Sequence, residues 1–148
     1  MGTPDVIERW HRVVQHGDTQ ALDDLLADDV VFHSPVVHTP QEGKPVAKLY
    51  LSAAAGVFAA GQKKKPEGGA DARNGGGGFR YVREIIGDRD ALLEFETEID
   101  GIVINGIDLI RWNDDGQIVD FKVMVRPLKA INLLHKLMAG MLSSMQKD

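Results

Sequence analysis

Alternation of apolar and polar residues between positions 91 and 126 restricts the fold of this chain more than any other feature. The segments ALLEFETEID (91–100), IVINGIDLIRW (102–112) and IVDFKVMVR (118–126) have the two-residue period of β-strands. The dipeptide Asp100-Gly101, a strong signal for a two-residue hairpin, joins the first two, and the turn DDGQ joins the last two. With FRYVREIIG (79–87) before them, these segments predict a meander of antiparallel strands.

The Asp100-Gly101 turn also predicts which residues of the first two strands oppose each other. Opposed residues of antiparallel strands share a face of the sheet. Counting outwards from the turn gives four pairs on an inner face: Ile99 with Ile102, Thr97 with Ile104, Phe95 with Gly106, and Leu93 with Asp108. The alternation adds the apolar face of the last strand: Val119, Phe121, Val123 and Val125. Asp108 is the one charged residue that this register assigns to the inner face.

Asp108 is unusual because a carboxylate is costly to bury unless a partner pairs with it or it stays protonated. The candidate partners are Arg83, in the segment 79–87, and the indole N–H of Trp10. Paired in this way, Asp108 would only stabilise the fold. Unpaired, it would have a pKa above the value of about 3.9 of a free aspartate, and such a group in a cavity is a candidate functional group. Both interpretations remain open at this point.

Capping residues and prolines divide the rest of the chain into four helical segments. A helix capped by Thr3 ends at Gly17, and Asp18 caps a short second helix. Pro45 opens a third helix and Pro127 opens the C-terminal one. Helices before and after a run of long strands are the order of an α+β fold, in which helices pack on one face of a curved antiparallel sheet.

The length and the local composition predict one domain over residues 1–148. Within it, the segment GQKKKPEGGADARNGGGG (61–78) has no apolar periodicity and contains four consecutive glycines. A flexible glycine-rich loop is therefore expected there. No Gly-Lys-Ser/Thr follows these glycines, so they do not indicate a phosphate site.

Charge and composition exclude several kinds of partner. The formal net charge of −5 gives no reason to expect binding to nucleic acid. The chain has no cysteine, and its five histidines lack the spacing of a metal site, so we expect neither a metal nor another cofactor. No stretch approaches the roughly 20 apolar residues of a membrane span. The start of the chain has no secretory signal, so we expect no membrane partner and a cytoplasmic location.

Two stretches, GDTQALDDLLADDVVFHSP (17–35) and IDLIRWNDDGQIVDFKVMV (107–125), resemble the nuclear transport factor 2-like superfamily. The resemblance is to its enzyme-rich branch of ketosteroid isomerases, SnoaL-like polyketide cyclases, limonene epoxide hydrolases and scytalone dehydratases. It covers nearly the whole chain outside 61–78 and the C-terminal helix. It implies a cone-like, cystatin-like barrel with the N-terminal helices on the concave face of the sheet and an extra C-terminal helix.

The resemblance to ketosteroid isomerase assigns three catalytic positions to this chain. Its tyrosine falls on Trp10, its base aspartate on Ser34, and its protonated aspartate on Asp108. An indole cannot shuttle a proton, and an unaided serine is no general base. The charged residues of limonene epoxide hydrolase fall on 95–97 and Val123, which are uncharged except for Glu96. SnoaL-like cyclases, which commonly rely on a single acid/base aspartate among apolar residues, fit best.

We therefore expect a SnoaL-like domain with an apolar cavity for a small hydrophobic molecule. Asp108 is the expected catalytic group, acting as acid/base or oxyanion-binding residue of a cofactor-independent isomerase, cyclase or lyase such as a dehydratase. The residues expected to contact the ligand are Trp10, Phe32, Ser34, Phe58, Phe95, Ile110 and Val123. The alternative is a non-catalytic ligand-binding or dimerisation module with a degenerate pocket.

A homodimer is also expected, because relatives commonly associate through the outer faces of their sheets. The alternation assigns three large apolar residues to that face, among its charges: Ile107, Leu109 and Met124.

Overall fold

The structure is a computed structural model that describes residues 4–62 and 78–146. The helices are α1 (Asp5–His16), α2 (Leu22–Leu25), α3 (Lys44–Gln62) and α4 (Leu128–Gln146), with a 3-10 turn at Thr19–Ala21 before α2. The strands are β1 (Leu26–His33), β2 (Gln41–Glu42), β3 (Arg80–Ile86), β4 (Asp90–Ile99), β5 (Ile102–Trp112) and β6 (Ile118–Arg126). Helices packed on one side of a six-stranded sheet make this an α+β fold, as predicted.

The helix boundaries follow the predicted caps at Gly17 and Asp18, whereas the N-cap position of α1 is Pro4 and not Thr3. Gly17 ends α1 with a left-handed backbone (φ 65°), and its N–H donates to the carbonyl of Val13 at 2.8 Å. The carboxylate of Asp18 accepts the backbone N–H of Ala21 at 3.3 Å, which caps the short helical turn. Thr3 and most of the predicted loop, residues 63–77, lie outside the described residues.

The sheet differs from the antiparallel barrel that was expected. Its strand order is β2-β1-β6-β5-β4-β3, and the described strands do not close into a barrel. β1 lies parallel to β6, with Phe32 opposite Phe121, whereas the other pairs are antiparallel. The sheet is therefore mixed: β2 pairs with one edge of β1, and β6 pairs with the other edge after β3, β4 and β5 have formed.

The predicted register of β4 and β5 is confirmed. All four pairs counted from the Asp100-Gly101 turn occur in the structure, including Leu93 with Asp108. One residue of β6 is not where the alternation put it. A bulge next to the DDGQ turn pairs Trp112 with Ile118, so Ile118 is fully buried and Val119 only half-buried.

Two groups of buried residues form the core between the helices and the inner face of the sheet. One surrounds Trp10 and Phe121 at the α1 end, and the other surrounds Phe95 and Leu134 beneath α4. Tyr81 and Val123 are half-buried and pack against both groups. A cavity remains between the two groups.

Gly106 of β5 brings the ring of Phe95 down onto the sheet. A Cβ atom at this position would lie 2.6 Å from the carbonyl oxygen of Met124 and 2.6 Å from Cζ of Phe95. Neither neighbour can withdraw freely, because one is backbone of the next strand and the other is a buried ring. The absence of a side chain at Gly106 thus lets Phe95 occupy its place in the core.

Gly106→Ala is expected to lower the free energy of unfolding by about 1–3 kcal/mol, the usual cost of overpacking a core. The matched control is Gly140→Ala in α4, where nothing lies within 4 Å of the added Cβ. Alanine favours a helix interior, so the control should be neutral or stabilising by up to about 1 kcal/mol. Urea unfolding of the three proteins measures both values. Equal stability of Gly106→Ala and wild type would contradict this account of Phe95.

Candidate functional site

A cavity of about 480 Å³ lies between α1, α3, α4 and the inner face of the sheet. Its buried wall includes Trp10, Leu51, Val57 and Phe121. The lining residues that are exposed mark where it opens to solvent, and they come from the end of α1, the loop after β1 and α4: Gln15, His16, Gly17, Val37, His135 and Ala139. A volume of this size lies within the roughly 300–1,000 Å³ range of small-molecule sites.

The structure brings together most of the residues that the sequence assigns to the site. Asp108 lies in the cavity wall with six of the seven expected ligand contacts: Trp10, Phe32, Ser34, Phe58, Phe95 and Val123. Ile110 is the exception. It is fully buried opposite Phe121 and belongs to the packed core, not to the wall of the cavity. Two residues further along β5 than Asp108, it shares the inner face but lies beyond the open space.

Asp108 is buried at the centre of the inner face, between Leu93 of β4 and Val123 of β6. Burial raises the pKa of its carboxyl group to about 7, and a hydrogen bond from Tyr81 lowers this pKa in part. Thr97 is the other buried polar or charged residue among the described side chains. Near neutral pH, Asp108 is therefore a group that can both hold and release a proton.

Tyr81, on β3, is the partner that the sequence did not reveal. Its hydroxyl group donates to Oδ2 of Asp108 at 2.5 Å and accepts the indole N–H of Trp10 at 2.9 Å. Burial, together with the neighbouring Asp108, raises the pKa of Tyr81 well above 10. Trp10, one of the two candidate partners, thus reaches Asp108 only through Tyr81.

Arg83, the other candidate partner, does not reach Asp108. A bulge between Tyr81 and Arg83 shifts the alternation of β3, so that Tyr81 opposes Phe95 on the inner face and Arg83 opposes Glu94 on the outer face. Arg83 is exposed. Of the two partners that the sequence left open, Arg83 therefore does not pair with Asp108.

One signal in the sequence could have pointed to Tyr81. Phe79 and Tyr81 alternate in the segment before the bulge, and both belong to the same face as Phe95. In the structure Phe79 stacks on Phe95 with ring centroids 5.1 Å apart and meets Tyr81 edge-on at 5.2 Å. Phe58 completes this aromatic wall, 5.0 Å from Phe79. The period-2 pattern of the first three residues of FRYVREIIG predicts this face, and the bulge ends it.

Ser34 lies in the wall, but its hydroxyl oxygen is engaged in a turn. Oγ accepts the backbone N–H of Val36 at 3.0 Å and that of Val37 at 3.3 Å. This is the local hydrogen bonding of a serine that begins a turn before a proline, here Pro35. Ser34 shapes the mouth of the cavity and has no base beside it among these contacts.

In residues 4–62 and 78–146 there is no group of three or more histidine, aspartate and glutamate side chains that could hold a metal ion. His33 is paired with Asp120 across β1 and β6, with Nε2 and Oδ2 3.2 Å apart. Nε2 of His11 lies 2.7 Å from Oε2 of Glu84 on β3. Among the helices of the described residues, none is long and apolar enough to span a membrane.

The fold and the site can be compared with solved structures. A steroid delta-isomerase from Pseudomonas aeruginosa is 31% identical, with a TM-score of 0.79, over 97% of this chain and 93% of the other. The chain belongs to the nuclear transport factor 2-like superfamily. A protein with a cystatin-like fold from Silicibacter pomeroyi DSS-3 is 28% identical, with a TM-score of 0.75, over 99% and 90% of the two chains. A nuclear transport factor 2-like protein of unknown function from Mesorhizobium loti shares the fold at 22% identity and a TM-score of 0.63, over 83% and 89%.

No protein-family model and no curated protein gives a match. The assignment to the superfamily therefore rests on the similarity to solved structures. It defines the fold more closely than the reaction, because one fold supports many activities.

The raised pKa of Asp108 predicts that stability depends on pH with a definite sign. The folded state binds the Asp108 proton up to about pH 7, whereas the unfolded chain releases it near pH 3.9. The free energy of unfolding should fall as pH rises between these values, by up to about 4 kcal/mol, and then level off. Urea unfolding of wild type and Asp108→Asn across this range isolates the contribution, because the amide does not titrate. Parallel pH profiles for the two proteins would rule out a raised pKa.

Proposed function

We propose that the cavity binds a small, largely hydrophobic molecule and that Asp108 acts on it as a proton donor and acceptor. The observation that carries this proposal is one carboxyl group buried in the wall of an apolar cavity of about 480 Å³. Among the described residues, no lysine or arginine contributes to the pKa of Asp108, so the group is not one half of an ion pair. A carboxyl group used only for structure would more commonly have a cation beside it.

The chemistry that suits such a group is an isomerisation, cyclisation or dehydration without a cofactor. In its neutral form Asp108 can donate a hydrogen bond or a proton to an oxygen that becomes negative in the transition state. In its ionised form it can take a proton back, and a pKa near the working pH serves both directions. An isomerase and a cyclase-like enzyme are among the proteins that share this fold.

A second proton-transfer group has to come from the ligand or from water. Ser34 lies at the position where the family resemblance puts a base, and its hydroxyl oxygen already accepts hydrogen bonds from two backbone N–H groups. A ligand hydroxyl group, or a water molecule admitted at the mouth, would supply that step. This requirement favours substrates that carry an oxygen of their own next to the reacting carbon.

The alternative is a ligand-binding module without catalysis. Two positions favour this alternative: Ser34 replaces the base of the related isomerase, and Trp10 replaces its tyrosine. Neither side chain has an acid or base group that could exchange a proton with a ligand. The two functions differ in what Asp108 does. In an enzyme its removal abolishes turnover, and in a binding module it changes affinity alone.

Asp108→Asn is expected to retain a ligand but to lose turnover by at least about 100-fold, the usual contribution of a general acid or base. Native mass spectrometry of the purified protein would first identify the molecule that it carries, and turnover is then measured on that molecule. Ala54→Phe, which fills the cavity from α3, should abolish the binding.

The matched control is Asp120→Asn, the same substitution on the neighbouring strand, where the carboxylate pairs with His33. It should behave as wild type in both measurements. Equal turnover of Asp108→Asn and wild type would exclude the catalytic function, and binding that persists in Ala54→Phe would place the ligand elsewhere.

We also propose that two copies associate through the outer face of the sheet. Met124 is 51% exposed there and Val103 is 57% exposed, and the neighbouring Ile107 and Leu109 are half-buried. Burying such side chains against a second copy would remove apolar surface from water.

Met124→Glu is expected to weaken this association at least tenfold, because the new carboxylate would be buried without a partner. Sedimentation velocity at micromolar concentration measures it. The control is Leu128→Glu, an equally drastic change at a side chain of α4 that is 70% exposed and is not on the sheet. A wild-type protein that sediments as a monomer throughout would refute the dimer.

A further inference from the structure

Three side chains from three elements form a hydrogen-bonded chain at the wall of the cavity. Trp10 of α1 donates to Tyr81 of β3 at 2.9 Å, and Tyr81 donates to Oδ2 of Asp108 on β5 at 2.5 Å. The proposed function uses the carboxyl group alone and leaves the other two without a role. Each of the three is at most half-exposed to solvent, so the chain is shielded from competing water.

The direction of this chain follows from the groups at its ends. An indole N–H can only donate, so the oxygen of Tyr81 must accept from Trp10. The single proton of the Tyr81 hydroxyl is then available to the carboxyl group. When Asp108 is ionised, both of its oxygens are acceptors, and Tyr81 must be the donor between them.

In the neutral state the carboxyl group of Asp108 carries a proton of its own. Two protons do not fit between oxygen atoms that are 2.5 Å apart. With the Tyr81 proton directed at Oδ2, the acid proton belongs on Oδ1. The opposite arrangement would put the acid proton on Oδ2 and turn the Tyr81 hydroxyl towards the cavity, which would make Tyr81 the donor to a ligand.

We propose that Tyr81 is a positioning residue: held by the indole of Trp10, its hydroxyl group engages Oδ2 of Asp108 and keeps the transferable proton on Oδ1. This inference rests on the proposed function, because it assigns a role to Tyr81 through Asp108. After the carboxyl group has given its proton to a ligand, Tyr81 also stabilises the charge that remains, since hydrogen bonds to ionised groups are stronger than those to neutral ones. In agreement, this hydrogen bond lowers the pKa of Asp108 against the effect of burial.

Other ionisable groups lie close enough to disturb a titration and have to be separated from it. The ring of His11 meets that of Tyr81 edge-on, with centroids 5.3 Å apart, and its Nε2 is 2.7 Å from Oε2 of Glu84. Glu84 also contributes to raising the pKa of Tyr81. At the mouth of the cavity are His16 and His135.

The test follows the carboxyl carbon of Asp108 and the indole N–H of Trp10 by NMR as pH is changed. In wild type the Trp10 indole resonance should move with the same midpoint as Asp108, because Tyr81 connects them. The chain has one other indole, Trp112, which is buried four residues along β5 and serves as an internal control that should not follow Asp108. In Tyr81→Phe the pKa of Asp108 should rise by about 1–2 units, the value of a hydrogen bond to a charged group, and the Trp10 response should disappear.

Two further variants keep the test decisive. His11→Gln removes the nearby imidazole, and the Trp10 response should persist in it. Trp10→Phe frees the Tyr81 hydroxyl from its donor and should raise the pKa of Asp108 by less than Tyr81→Phe does. It also carries the test if Tyr81→Phe does not fold. A pKa of Asp108 that stays the same or falls in Tyr81→Phe and in Trp10→Phe would overturn the positioning role.

The ligand identified by mass spectrometry separates this proposal from the proposed function. If Tyr81→Phe lowers turnover without weakening binding, Tyr81 acts through Asp108, as proposed. If it weakens binding as strongly as it lowers turnover, Tyr81 is itself the donor to the ligand, and the positioning role is wrong. An unaffected Asp108→Asn would refute the proposed function and leave the NMR titration of Tyr81 and Trp10 standing.

Discussion

The hairpin between β4 and β5 is the constraint on which the rest of the structure depends. Asp100 and Gly101 both have positive φ, 53° and 79°, as a two-residue turn between antiparallel strands requires. From this turn the two strands pair without interruption as far as Asp90 and Arg111. A slip of β5 by one residue would move Asp108 to the outer face, and a slip of β4 would bring its three glutamates to the inner face. The turn therefore decides which carboxyl group the cavity contains.

The bulge in β3 decides what that carboxyl group can do. Without it, the alternation of β3 would continue and Arg83 would share the inner face with Tyr81. A guanidinium group beside Asp108 would hold its pKa low and make a buried ion pair, which is strongly destabilising to break and has no proton to give at neutral pH. The bulge turns Arg83 outwards, opposite Glu94, and leaves a phenol as the partner. Because of one extra residue in this edge strand, Asp108 is a carboxyl group that can hold a proton and not one half of an ion pair.

The sequence predicts the parts of the fold that depend on local signals, and it fails where distant segments meet. The register of Phe95 and Asp108 follows from a two-residue turn, and the ends of the helices follow from Gly17 and Pro127. The parallel pairing of β1 with β6 has no local signal, because it joins segments about ninety residues apart. Most of the predicted cavity residues are found in the wall of the cavity for a similar reason. They lie on helices and strands whose pattern of apolar residues shows which side chains face inwards. The outward position of Arg83 could not be predicted, because the bulge after Tyr81 shifts the alternation by one residue and leaves no mark in the composition. Tyr81 was missed although it alternates with Phe79 before that bulge.

The site combines the expected groups in a different arrangement from the one that the family resemblance implied. The resemblance to ketosteroid isomerase puts the tyrosine of that enzyme at a position on α1 where this chain has the indole of Trp10. The phenol approaches Asp108 from β3, on the side of Oδ2. Because an indole only donates, the phenol oxygen accepts from Trp10, and its single proton is left to donate to Oδ2 of Asp108. Under the proposed function, a ligand in this cavity would meet one strong proton donor, the acid proton of Asp108, in place of a phenol and a carboxyl group that donate together. Under the proposed function, such a site would suit a reaction in which a single oxygen of the substrate develops charge. The pKa of Asp108, set by burial and by Tyr81, would then govern turnover.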